Sequence, residues 1–132
     1  MFRGQRGQSG QATPHRTAAV GRGCSRLAGE IDVALATVEA GRLAEFAVES
    51  AATRARVRAL AQMVGAWRRP DDMATLRDEL LYDLDQSDRA LRYIVVCLRK
   101  QRFEEVHRGT RPLRAVEQRL LSVAERCAGV TA

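Results

Sequence analysis

The amino-acid sequence predicts an all-α protein: a bundle of three or four antiparallel helices, or an extended helical hairpin, with one long third helix. Two observations lead to this prediction. Apolar residues recur at spacings of three and four along four separate segments, which is the period of one helix face. No segment alternates apolar and polar residues as a half-buried strand does. A chain of 132 residues with short joins between its helices fits a single domain.

The N-terminal segment differs from the rest of the chain. Residues 1–17 are rich in Gly and Gln, contain Pro14 and lack a helical period, so we predict a disordered basic tail before a helical domain at 18–128. Residues 1–23 carry four arginines and no acidic residue, which is +4 of the net charge of +6. A basic arm for an acidic surface is the alternative interpretation. The other residues are nearly neutral, which does not favour nucleic-acid binding, because such binding needs a clustered basic face.

The first two helices are predicted at about 18–39 and 42–67. Gly41 lies between them and suits the left-handed position that closes a helix. Small and polar residues at 50–55 would let a neighbouring helix approach closely. Pro70 and the acids after it end the second helix. The two apolar faces are formed by Cys24, Leu27, Ile31, Leu35 and Val38, and by Leu43, Phe46, Val57, Leu60, Val64 and Trp67.

The third helix is predicted at about 71–107 because no Pro or Gly interrupts this stretch and its apolar seam is close to a heptad. The sequence at 109–112, Gly-Thr-Arg-Pro, is expected to break it. A fourth helix then follows at about 111–127. Its seam repeats in a strict three-four alternation and consists of Leu113, Val116, Leu120, Val123 and Cys127.

Catalytic and metal-binding patterns are not apparent, so we expect neither an enzyme nor a metal or cofactor site. Glu104 and His107 are three residues apart, a spacing that can share a metal, but the arrangement occurs only once and a solvated helix end is the favoured interpretation. The odd count of three cysteines is typical of reduced thiols, not of a disulfide framework. Cys24 and Cys127 continue apolar faces, whereas Cys97 lies off its seam and is the candidate for a labile thiol.

The third helix is the predicted binding surface. Residues 93–98 read Tyr-Ile-Val-Val-Cys-Leu and are apolar on every side of a helix. In a four-helix protein one flank of such a segment can stay open, and an open apolar groove accepts an amphipathic helix of a partner protein. The alternative is that the other three helices cover the segment completely, which would make it core.

Two regions of the sequence carry a family resemblance. The segment 35–46, Leu-Ala-Thr-Val-Glu-Ala-Gly-Arg-Leu-Ala-Glu-Phe, and the Arg-Val-Arg-Ala-Leu that ends at Leu60 resemble the turn and second helix of flagellar export chaperones of the FliT and FlgN kind. Arg42 stands where that family often has Asp. The stretches 84–91 and 107–111 are similar to a later helix of the same family and the Gly/Arg-rich turn after it.

The resemblance implies a cytoplasmic chaperone of flagellar type III secretion that holds a secretion substrate in an export-competent state. Such proteins bind a C-terminal amphipathic segment of the substrate in an apolar groove on the long third helix, and the last helix can cover that groove. Carried over to this chain, the groove would contain Leu91, Ile94, Val95, Leu98 and Phe103.

Two other classes of function remain as alternatives. In a DNA-binding regulator, residues 84–110 would form a recognition helix followed by a wing, with a strand at 103–107 and its tip at 108–111. In a self-associating structural bundle, the fourth helix would pair with its own copy, so a homodimer stays open. A membrane partner is not expected, because no apolar run approaches the ~20 residues that cross a bilayer.

Overall fold

The computed structural model describes residues 2–68 and 75–131, with side chains described for 15–68 and 75–129. It contains four helices: α1 (Phe2–Glu39), α2 (Leu43–Gly65), α3 (Leu76–Arg99) and α4 (His107–Thr131), with a 3-10 turn at Phe103–Glu105 between the last two. No strand occurs among the described residues. The prediction of an all-α helical protein is therefore confirmed.

The helices surround a single core. Contacts join α1 to α2 and α4, and α3 to α2 and α4, so each helix has two neighbours. The first and last helices are antiparallel: Arg114 near the start of α4 contacts Glu39 at the end of α1, and Cys127 near the end of α4 lies beside Gly21. The four predicted apolar faces meet in the core, where the largest fully buried side chains include Leu27, Ile31, Phe46, Leu84, Leu113 and Leu120.

The start of α1 differs from the prediction of a tail at 1–17. The helix begins at Phe2, and the packed part of the domain already includes Thr17, which is 0% exposed. The indole Nε1 of Trp67 donates a hydrogen bond of 3.0 Å to Thr17 Oγ1, and this pair fixes α1 against the end of α2. Extending a helix costs much less than nucleating one, so α1 can continue towards the N-terminus without an apolar face of its own.

The third helix is not the longest, and this part of the prediction is wrong. α3 has 24 residues and ends at Arg99, whereas α1 has 38. After Arg99 the backbone turns through a left-handed residue, Gln101, with φ of 58°. The amide of Arg102 donates to the carbonyl of Cys97 at 2.8 Å, and the amide of Gln101 donates to the carbonyl of Leu98 at 3.2 Å. This pair of bonds is the Schellman pattern of helix termination. The predicted start of this helix at 71 lies outside the described residues.

α1 ends with the same Schellman pattern. The prediction that Gly41 occupies the left-handed position at the end of this helix is confirmed. Gly41 has φ of 76°, and its amide donates to the carbonyl of Val38 at 3.1 Å. The amide of Arg42 donates to the carbonyl of Thr37, also at 3.1 Å. Glycine adopts this conformation without steric cost, whereas Gln101 carries a Cβ into the same region of backbone space. The two turns thus share one hydrogen-bond pattern but differ in strain.

The expected break at 109–112 is also wrong, because α4 begins at His107 and runs through both Gly109 and Pro112. Pro112 lies inside α4, where it has no amide to donate to the carbonyl of Arg108, and the helix continues through it. Gly109 has a packing role. A Cβ built there would lie 2.6 Å from Cγ1 of Ile94 and 3.2 Å from the carbonyl oxygen of Ala90. The absence of a side chain therefore lets α4 cross close to α3.

Candidate protein-binding groove

The five residues predicted to line a groove do not form one surface. Leu91 and Ile94 are 0% exposed and belong to the core, so their prediction as open groove residues is corrected. Leu98 is half-buried and packs against the core. Phe103 is 51% exposed in the 3-10 turn, beyond the end of α3. Only Val95 lies, half-buried, in a groove on the outside of the bundle.

The burial of Ile94 has a simple geometric cause. Gly109 brings the backbone of α4 against Ile94, so α4 covers the side of α3 that the apolar seam presents. The last helix therefore lies over the predicted surface. What remains open is the opposite flank of α3, next to α2.

An outward-facing groove follows the line between α2 and α3 and has a volume of about 240 Å³. We call it the α2–α3 groove. Its floor is apolar and made of small or branched side chains, and Val96 at one edge is 44% exposed. Val48, which is 74% exposed, lies one position from Ala47 on the outer side of α2. The complete lining is Ala47, Ser50, Ala51 and Arg54 of α2 with Arg92, Val95, Val96 and Arg99 of α3.

Three arginines border this groove, and they are unequally paired. Nε of Arg54 lies 2.8 Å from Oδ1 of Asp88, and Nε of Arg92 lies 3.3 Å from Oδ2 of the same carboxylate. The guanidinium group of Arg99, whose residue is exposed, has no hydrogen bond or ion pair among the described residues. Three positive charges against one negative charge leave the border with a net charge of +2.

A second groove lies between α1 and α2 and has a volume of about 350 Å³. Its charges balance: Arg56 pairs with Glu30, and the remaining pair of opposite charges is Arg26 and Glu49. Thr37 Oγ1 donates to Oε1 of Glu49 at 3.3 Å, and Oε2 is buried without a partner. This groove is larger, but the neutral balance of its charges gives it less power to select a partner.

Two buried carboxylates lie where α4 packs against the rest of the bundle. Asp83 on α3 is 6% exposed, and Nε and Nη2 of Arg119 both lie 2.9 Å from its Oδ1. Glu117 is also 6% exposed, but its Oε1 accepts no hydrogen bond, and the nearest cation, Nη1 of Arg114, is 3.6 Å away. Burial, followed by the nearby Asp32, raises the pKa of Glu117. The Asp83–Arg119 pair therefore joins α3 to α4, whereas Glu117 is a buried carboxylate whose Oε1 lacks a hydrogen bond.

The cysteines form no reactive site. All three are buried and none is in a disulfide. Burial raises the pKa of the Cys24 thiol to about 12, so it carries no thiolate near neutral pH. Cys97, which was the predicted labile thiol, is only 2% exposed, so that prediction is corrected on grounds of access.

Glu104 and His107, the pair at a spacing that can share a metal, have a local role in the structure. Nδ1 of His107 lies 2.8 Å from the backbone carbonyl oxygen of Glu104, a bond within the 3-10 turn that precedes α4. Across the described part of the chain, no cluster of three or more potential ligand side chains is placed to hold a metal ion.

Both structural alternatives from the sequence lose their geometric basis. Residues 103–105 form a 3-10 turn and α4 begins at His107, so the strand and wing predicted for a DNA-binding regulator are wrong. The seam of α4 is also occupied: Leu113, Val116 and Leu120 are at most 1% exposed. Pairing of this seam with a second copy would require the bundle to open.

Comparison with family models gives no match, and comparisons with curated proteins and with solved structures give none either. The resemblance to flagellar export chaperones therefore rests on the sequence motifs alone and stays a prediction. Among the described helices, none is both long and apolar enough to span a membrane.

Proposed function

We propose that this protein binds another protein by seating an amphipathic helical segment of its partner in the α2–α3 groove. The observation that supports this most directly is the exposure of Val96 and the partial exposure of Val95 beside small residues of α2, on a flank that the bundle does not cover. An apolar groove between two helices is a common docking mode for a third amphipathic helix. Bundle stability does not account for these side chains, since they remain in water.

The shape of the groove favours a helix as the occupant. Ala47 and Ala51 form the α2 wall, and side chains this small let a third helix approach both α2 and α3 closely. Transfer of the exposed part of Val96 from water would contribute roughly 1 kcal/mol, and that of the half-buried Val95 less. Such contributions alone give weak binding, so partner selection must come from additional contacts.

For the identity of the partner, we propose a secretion substrate of the flagellar type III system, held in an export-competent state in the cytoplasm. The support is the resemblance of 35–60, 84–91 and 107–111 to flagellar export chaperones, together with a helical bundle that leaves an apolar groove open. In that family the bound segment is the C-terminal amphipathic part of a filament-cap or hook-junction subunit. We propose that the same kind of segment binds here. It would bind in the α2–α3 groove and not on the apolar seam of α3, which the family resemblance implied as the binding surface.

The test uses a matched pair of exposed apolar residues. Val96 in the groove is 44% exposed and Leu121, on α4 beside α1, is 41% exposed. Val96→Asp and Leu121→Asp therefore add the same charge at similarly exposed positions. Binding of a purified C-terminal segment of a filament-cap or hook-junction subunit is measured by isothermal titration calorimetry, with circular dichroism as the control for folding.

We expect Val96→Asp to weaken binding at least tenfold and Leu121→Asp to leave it unchanged, with equal helix content in both variants. Equal effects of the two substitutions would contradict binding in the α2–α3 groove. Absence of binding to the wild-type protein would contradict the proposed flagellar partner. Leu98→Asp is a poorer test, because Leu98 packs against the core and its replacement would destabilise the fold.

A further inference from the structure

We infer that the occupant of the α2–α3 groove is an acidic amphipathic helix, with carboxylates spaced to meet Arg92 and Arg99 on either side of an apolar contact with Val96. This inference rests on the proposed function, because it specifies the chemistry of the segment that the groove binds. It is carried by the charges that border the groove.

The positive charge at the border is available to a ligand. Asp88 is shared between Arg54 and Arg92, so one carboxylate serves two guanidinium groups. Arg99 is exposed and its guanidinium group has no partner among the described residues. The other charged neighbours on α3 do not neutralise it: Asp85 pairs with Arg89 at 3.0 Å, and Lys100 adds a further positive charge.

The spacing along α3 specifies the ligand further. Arg92, Val95 or Val96, and Arg99 are separated by three or four residues, so they lie on one face of the helix over two turns, a rise of about 10 Å at ~1.5 Å per residue. A partner helix with acidic residues seven apart and a leucine midway between them reproduces this pattern. Each carboxylate would then meet an arginine while the leucine covers Val96.

Charge also excludes a basic helix, which would be repelled by Arg99 and Lys100. Ion pairs formed at the edge of an apolar contact are partly shielded from water, and they select a partner more strongly than exposed pairs do. The alternative ligands are nucleic acid, which would use the same arginines for phosphate, and a neutral apolar helix, which would use only the floor. Both are outcomes of the experiment below.

The experiment uses three synthetic 18-residue helical peptides that share an alanine and leucine framework and a fluorescent label. They carry Glu, Gln or Lys at two positions seven apart, with leucine midway. Binding to the full chain is measured by fluorescence anisotropy at 20 mM and 300 mM NaCl. Two variants have the same change of charge: Arg99→Glu in the groove, and Arg126→Glu on an exposed position near the far end of α4.

We expect the Glu peptide to bind at least tenfold more tightly than the Gln peptide at low salt, with a smaller ratio at 300 mM NaCl because salt screens the new ion pairs. Arg99→Glu should remove the preference for Glu and favour the Lys peptide, whereas Arg126→Glu should leave the order of the three peptides unchanged. These results together would support the inference.

Other results would overturn it in distinguishable ways. Equal binding of the Glu and Gln peptides, lost in Val96→Asp, would refute the acidic partner and leave the proposed groove intact. No binding of any peptide at 100 µM protein would refute the inference, and the calorimetric test with the flagellar segment would then decide the proposed function separately. Displacement of the Glu peptide by a 20-nucleotide single-stranded DNA at equal concentration would identify the arginines as phosphate contacts and also refute the inference.

Discussion

The close crossing of α3 and α4 predicts that Gly109→Ala destabilises the protein, although alanine is the better helix former. A methyl group at 109 would lie 2.6 Å from Cγ1 of Ile94, 3.2 Å from its Cδ1 and 3.2 Å from the carbonyl oxygen of Ala90. Ile94 is fully buried, so its side chain has no free space into which to move. Relief of the overlap therefore requires the two helices to separate.

The size of the effect follows from two opposing contributions. Replacement of glycine by alanine in a helix gains about 1 kcal/mol. Optimal carbon contacts lie at about 3.5–4.0 Å, so the helices must move apart by about 1 Å. Overpacking of this kind in a tightly packed core costs about 1–3 kcal/mol. We expect a net loss of about 1 kcal/mol in the free energy of unfolding, with an upper value near 2.

Gly29→Ala provides the control. Gly29 lies inside α1 with no atom within 4 Å of an added Cβ, so only the gain in helix propensity applies there. Unfolding in urea, followed by circular dichroism at 222 nm, should show Gly29→Ala more stable than the wild type by about 1 kcal/mol and Gly109→Ala less stable. The two variants, identical in chemistry, should differ by about 2–3 kcal/mol.

A double substitution identifies the contact itself. Ile94→Ala alone should cost about 2–5 kcal/mol by creating a cavity, and a methyl group at 109 would partly fill that cavity. Gly109→Ala should therefore be less destabilising in the Ile94→Ala background than in the wild type, which is a favourable coupling between contacting residues. If Gly109→Ala stabilised the protein as much as Gly29→Ala does, the close approach of α4 to α3 would be refuted.

Four further substitutions test other parts of the fold. Gln101→Gly should raise the free energy of unfolding by about 1 kcal/mol, because it removes a Cβ from a left-handed residue, whereas Gly41→Gln should lower it by a similar amount. Equal urea midpoints for the two variants would contradict the left-handed conformation at the ends of α1 and α3. Thr17→Val should cost about 1–3 kcal/mol, because the buried Nε1 of Trp67 loses its acceptor, and an unchanged thermal midpoint would show that the packed domain starts later. Glu117→Gln should be more stable than the wild type at pH 7. The pKa of Glu117 is raised above its ordinary value of 4.5, so the contribution of the protonated group to stability is complete below that pH and is lost as pH rises through the raised pKa. The free energies of unfolding of Glu117→Gln and the wild type, measured in urea, should therefore converge near pH 4. A difference between the two proteins that does not change with pH would refute this effect of Glu117.

The sequence was sufficient to predict the helices and their buried faces. Periodicity identifies the apolar side of a helix directly, and Gly41 marked the end of α1 because a left-handed residue is most often glycine. The end of α3 could not be located in the same way. Gln101 adopts the left-handed conformation without being glycine, so the sequence carried no signal and the third helix was predicted too long.

The candidate groove was predicted only in part, and the reason is also physical. Periodicity shows which side of α3 is apolar, but not how many neighbours cover that side, so Ile94 and Leu91 were assigned to a groove although they are core. Gly109 was ambiguous, because the lack of a Cβ suits both a break and a close helix crossing. The small residues of α2 were recognised as a surface for close approach, but no neighbouring helix in the structure covers Ala51.

The pairing of α1 with α4 has a consequence for how the chain folds during synthesis. The apolar face of α1 is completed by α4: Gly21 packs against Cys127, which lies 88 positions after the end of α1 at Glu39. At translation rates of roughly 5–20 residues per second, α4 emerges about 4 to 18 s after α1. Throughout that interval Leu27 and Ile31 lack the helix that buries them, so the nascent chain needs temporary protection from aggregation. A protein proposed to shield helices of others would thus itself be exposed to the same risk until its last helix is made.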